Sequence, residues 1–87
     1  MTEKRFMWVV IIREYLNDSG FDYPCEEKEI IVCEKLNAVF KAYEKWKRNK
    51  KSTIKLNTDD DNLYIAETPY TSGVKEVFKA YKKEIKK

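Results

Sequence analysis

The most reactive side chains in this 87-residue chain are the thiols of Cys25 and Cys33. A thiol becomes a nucleophile when a neighbouring base takes its proton, and the sequence contains no histidine to do so. Cys33 alternates with Val32 in an apolar stretch and reads as a packed residue, while Cys25 follows Pro24 in a loop with nothing beside it to activate it. The two cysteines have no second ligand pair, so they do not compose a zinc site. Asp59-Asp60-Asp61 lacks the central glycine and the distal glutamate of a calcium loop. Those aspartates and Glu26-Glu27 are adjacent acids in turns, whereas an acid–base pair needs a concave site that drives its two pKa values apart. With glycine only at positions 20 and 73, no phosphate-cradling loop exists. No enzyme activity, cofactor or metal is expected.

Two binding chemistries remain. Lys45, Lys47, Arg48, Lys50 and Lys51 surround Trp46, and Lys79, Lys82 and Lys83, with Lys86 and Lys87, form a second basic cluster. Side by side they would make a phosphate-contacting surface for nucleic acid. Lysines near a helix C-terminus also simply favour the helix dipole, and only three arginines are present for bidentate readout. The stronger expectation is protein binding. Six tyrosines and two tryptophans are unusually many aromatics for this length, and such residues concentrate in interface hot spots. Trp8, Val10, Tyr15 and Tyr64, on or beside strands, are the candidate contacts, with homodimerisation as the least demanding version.

These side chains need elements to hold them. Residues 4–16 read as a strand rich in β-branched and aromatic types, apolar at both the even positions 6–12 and the odd positions 7–11. Asn17-Asp18-Ser19-Gly20 and Pro24 break the chain, and residues 28–34 return as the second strand of a wide hairpin. Leu36, Val39, Phe40, Tyr43 and Trp46 follow the helical period, predicting a helix over 35–50. Strands are expected at 52–57, with Ile54 and Leu56 inward, and at 63–67, around a polar turn at 58–62. Val74, Val77, Phe78, Tyr81 and Ile85 predict a final helix capped by Thr71 or Ser72.

The pentapeptide Val39-Phe40-Lys41-Ala42-Tyr43 recurs identically at Val77-Phe78-Lys79-Ala80-Tyr81. The chain therefore reads as one α+β domain of two β-β-α units, about residues 1–50 and 51–87. The expected architecture is a two-layer sandwich in the order ββαββα: a four-stranded, mainly antiparallel sheet with both helices on one face. The other face would be left open, with apolar residues of the first strand on it.

The formal charge of +3 hides segregation. Residues 1–34 sum to −4, 35–51 to +6, 52–74 to −3 and 75–87 to +4. Basic helices over an acidic sheet are expected. The apolar run from Phe6 to Ile12 is far shorter than the about 20 residues of a spanning helix, and no small-residue cleavage site follows it. A cytoplasmic protein with reduced thiols is expected. The small size, the Lys/Glu/Ile/Tyr-rich composition and the missing catalytic inventory resemble small accessory proteins of phages and mobile elements. That resemblance is one of general character. It implies a non-enzymatic inhibitor that binds a host protein or nucleoprotein complex in the host cytoplasm.

Overall fold

The computed structural model describes residues 5–18, 20–48, 50, 54–70 and 72–85. The elements run β1 (Arg5–Asp18), β2 (Phe21–Cys33), α1 (Leu36–Arg48), β3 (Asn57–Asp60), β4 (Leu63–Glu67) and β5 (Val74–Ile85). The five strands form one sheet in the order β2-β1-β5-β4-β3, with every neighbouring pair antiparallel. One helix lies across it. The α+β class and the antiparallel sheet therefore hold, but the described residues contain one helix and five strands, in the order ββαβββ.

β1 and β2 join at a tight hairpin rather than a wide one, turning through Gly20 at φ 85°, where a side chain would be strained. Pro24 does not end the strand, because β2 is an edge and a missing N–H can face solvent there. Two register shifts, between Ile12 and Arg13 and between Arg13 and Tyr15, give β2 an extra residue at each. One of them is Lys28, whose Nζ lies 3.8 Å from Glu14 and 3.6 Å from Glu76.

The segment expected as a second helix is β5. It occupies the middle of the sheet, paired with β1 from Leu16↔Val74 to Arg5↔Ile85 and with β4 from Leu63↔Tyr81 to Glu67↔Val77. All five of its supposed helical stripe residues are β-branched or aromatic, types that favour strands. The deciding force is tertiary. β1 is 14 residues long, and without β5 one whole edge of it would keep unpaired N–H and C=O groups against the core.

The repeated pentapeptide is thus a helix once and a strand once, and the described residues show no tandem β-β-α units. In α1 its first and fifth residues, Val39 and Tyr43, are buried; in β5 the second and fourth, Phe78 and Ala80, are buried instead. The same letters satisfy a spacing of four on a helix and of two on a strand. The two halves of the chain also interleave, since β5 sits between β1 and β4.

The core lies between α1 and one sheet face. Trp8, Val10 and Ile12 from β1, Phe78 and Ala80 from β5, and Tyr64 and Ala66 from β4 meet Val39, Tyr43 and Trp46. Phe78 is the largest fully buried side chain, with Tyr43 at 5.7 Å and Trp46 at 5.5 Å between ring centroids. After α1 the chain is tied down by the Tyr43 hydroxyl, which donates to the Ile54 carbonyl at 2.7 Å. Ile54 is buried as expected, but the strand begins only at Asn57, the last residue of the expected strand, and runs to Asp60 through the segment expected as a turn; residues 52–53 of the expected strand lie outside the described residues.

Candidate functional site

Strand pairing assigns side chains to faces, because residues directly opposite one another share a face and neighbours along a strand alternate. Trp8, Val10 and Ile12 point toward α1. Met7, Val9, Ile11, Arg13 and Tyr15 therefore occupy the opposite face. Their partners there are Val32 and Ile30 on β2, and Tyr81, Lys79, Val77 and Lys75 on β5. β4 adds Leu63 and Ile65 beside Tyr81 and Lys79. Among the described residues no helix covers this face. Its aliphatic residues are bordered by two tyrosines and several cations, and the aliphatic members Ile30 and Val32 are 56% and 57% exposed.

The expected protein contacts divide unevenly between the two faces. Trp8, Val10 and Tyr64 are buried beneath α1, with Trp8 stacked on Tyr64 at 5.0 Å. They are core residues and offer no contact surface, a correction to the sequence reading. Tyr15 alone belongs to the open face, half-buried, with the Lys75 ammonium 5.8 Å from its ring centre. The first strand does present one apolar set outward, and the set is the odd one.

The expected basic surface does not assemble either. Trp46 is buried, its indole N–H donating to Glu76 Oε1 at 3.3 Å, so it cannot stack on a base. Lys50 donates to Glu76 Oε2 at 2.6 Å, and Lys47 lies over the Tyr43 ring at 5.6 Å. Lys45 and Arg48 are exposed on the helix; Lys51 lies outside the described residues. Lys82 sits on the helix side of the sheet, 4.5 Å over Phe6. Lys79 and Lys83 are exposed on the opposite face. The positive and negative layers anticipated from the segment charges are therefore absent: the second basic segment is the central strand, and it sends lysines to both faces.

Glu76 is the electrostatic hub on the α1 side. Burial by itself would raise its pKa, but hydrogen bonds from Lys50 and Trp46 and the charges of Lys50 and Lys28 outweigh burial and hold the carboxyl below its ordinary value. Its backbone closes a two-way bridge: Glu76 N–H donates to Thr68 Oγ1 at 2.8 Å, and Thr68 N–H donates to the Glu76 carbonyl at 3.0 Å. This network fastens the end of α1 to β5 and is structural.

Cys25 lies partly accessible on β2. Cys33 is buried and its thiol pKa is pushed up by that burial, the opposite of an activated nucleophile. The acidic run is turn structure: Asn57 Oδ1 accepts from Asp59 N–H at 3.0 Å, and Asp60 Oδ1 accepts from Asn62 N–H at 2.8 Å. Among the described residues no three ligating side chains converge, and no helix is long and apolar enough to cross a membrane.

The sequence reading overlooked Arg13 as a site residue, and it took Lys79 and Lys83 as part of a helical basic cluster rather than as outward residues of β5. Arg13 borders a shallow hollow of about 90 Å³ on the open face, with Ile11, Tyr15, Val77 and Lys79. The alternation Val77, Lys79, Tyr81 was visible in the sequence, but a helical period fits the same letters.

Compared with protein-family models, with curated proteins and with solved structures, the chain matches none.

Proposed function

We propose that this is a non-enzymatic interaction protein that binds a protein partner through the open face of its sheet. The observation carrying the reading is the placement of Val9 and Ile11, Ile30 and Val32, and Leu63 and Ile65 on one surface that no described helix covers, while α1 covers the middle of the other and leaves Phe6, Leu16 and Tyr23 exposed there. Small monomers rarely expose a contiguous apolar patch without use for it. Aliphatic residues outnumber the two tyrosines of this face, Tyr15 and Tyr81, and both tyrosines are half-buried, which suits protein contact better than stacking of bases. The general resemblance to phage and mobile-element accessory proteins makes inhibition of a host protein or nucleoprotein complex the natural outcome of such binding.

The test uses the two most exposed apolar residues of the face, whose replacement leaves the core untouched. A partner captured by the wild-type chain is purified, and its binary affinity is measured for Ile30→Asp, Val32→Asp and, as a control on the helix side, Leu36→Asp. A loss of about tenfold or more for the first two, with little change for Leu36→Asp, is expected. Unchanged affinity in both face variants overturns the reading. Recovery of nucleic acid whose binding falls steeply with salt turns it toward the lysine-based alternative.

A further inference from the structure

We infer that the partner reaches this face with a carboxylate, an Asp or Glu side chain set among aliphatic residues, which seats in the hollow between Arg13 and Lys79. The inference rests on the open-face reading above and names the chemistry of its partner.

The face is apolar but not neutral. Arg13, Lys75, Lys79 and Lys83 project from it; of its acids, Glu27 is engaged by Arg13 and Glu67 by Lys75, and Asp60, opposite Leu63 near the β3 edge, accepts from Asn62 N–H in its own turn. Lys79 is exposed on the central strand and has no ion-pair partner among the described residues. Arg13 stands opposite Val77, and Lys79 opposite Ile11, so the two cations are diagonal neighbours on one face. Diagonal positions lie about 7–8 Å apart, a span that one carboxylate can bridge.

The state of Arg13 supports an added acceptor. Its Nη2 donates to Glu27 Oε1, but its Nε is buried with no hydrogen-bond partner. A buried donor left without an acceptor loses the hydrogen bond it would make to water. An incoming carboxylate that draws the guanidinium toward the hollow supplies the acceptor Nε lacks. The hollow, about 90 Å³, is far below the roughly 300–1,000 Å³ of small-molecule sites, so a single side chain is the fitting occupant.

Charge also argues against a second copy of the chain. A two-fold stack of this face on itself would set its lysines and arginine against their own copies, and like charges across an interface oppose association.

The probe is a displayed library of random peptides, selected on the intact protein. Selected peptides are expected to combine Asp or Glu with aliphatic residues. Lys79→Glu and Arg13→Met should each weaken them by about tenfold or more, and the Arg13 Nε–Hε resonance should move when the peptide is added. Peptides that are lost with Ile30→Asp but are not acidic, or that ignore Lys79→Glu, overturn the carboxylate seat and leave the face reading standing. Peptides indifferent to all three variants, or no enrichment at all, overturn both. A dimer in sedimentation that dissolves with Ile30→Asp overturns the choice of occupant.

Discussion

The repeated pentapeptide provides a controlled pair of substitutions within one molecule. Phe40 and Phe78 have identical neighbours in sequence for one residue before and three after. Phe78 is fully buried on β5, while Phe40 is 39% exposed on α1, resting on Tyr64 at 6.0 Å. An aromatic side chain buries roughly 150–250 Å², which at about 25 cal/mol per Å² is about 4–6 kcal/mol of transfer free energy. Phe78→Ala keeps only the Cβ and leaves a sealed cavity beside Tyr43 and Trp46, so a loss of about 3–5 kcal/mol is expected. Phe40→Ala gives up a smaller share, opens no closed cavity, and gains about 0.5 kcal/mol of helix propensity. Its expected cost is about 1–2 kcal/mol. Urea unfolding followed by tryptophan fluorescence reads the difference, at roughly 1 kcal/mol per M for a chain this short. Because a small domain has only about 5 kcal/mol or slightly more to lose, Phe78→Leu, expected to cost about 1–2 kcal/mol, keeps the comparison measurable if Phe78→Ala does not fold. Equal costs for the two alanine variants, within about 0.5 kcal/mol, would refute the placement of this segment in the sheet.

Three further outcomes follow from particular residues. Because the Glu76 pKa is lowered in the folded state, its contribution is fully present above the ordinary carboxylate pKa and is lost as pH falls through the folded value. Glu76→Gln should therefore cost about 1–3 kcal/mol at neutral pH and flatten the acid limb of a stability–pH profile; an unchanged acid limb would disprove its role. Ser72 holds φ 54° in the left-handed region, so Ser72→Gly should stabilise by up to about 1 kcal/mol, read as a rise in thermal midpoint. Cys33 is buried while Cys25 is partly accessible. A thiol reagent at neutral pH should therefore modify one cysteine promptly and the other only on unfolding; two equally fast thiols would contradict the packing.

Much of the local structure was readable in the sequence because local physics fixed it. β1 announces itself by a dense run of β-branched and aromatic residues, and α1 by a stripe that no strand period fits over so many residues. Even the ambiguity of β1, apolar at both odd and even positions, was informative: one set went to the core and the other to the open face. What sequence periodicity could not supply was which set, since that depends on the side from which α1 packs. Trp8, Val10 and Tyr64 looked like contacts for this reason and are core residues under the helix. The hollow at Arg13 was hidden for a related reason: it exists only when β5 lies beside β1 and brings Lys79 diagonal to Arg13.

The pentapeptide separates the two levels most sharply. By itself the sequence determined that Val-Phe-Lys-Ala-Tyr must bury two of its apolar residues and leave its lysine in water, and Lys41 and Lys79 are both exposed. Tertiary structure alone decided which residues are buried. At residues 39–43 the segment stands free of the sheet and closes its own backbone hydrogen bonds as a helix. At residues 77–81 the open edges of β1 and β4 offer a full ladder on both sides, and those hydrogen bonds, with Phe78 seated in the core, act together with the strand preference of Val77, Phe78 and Tyr81.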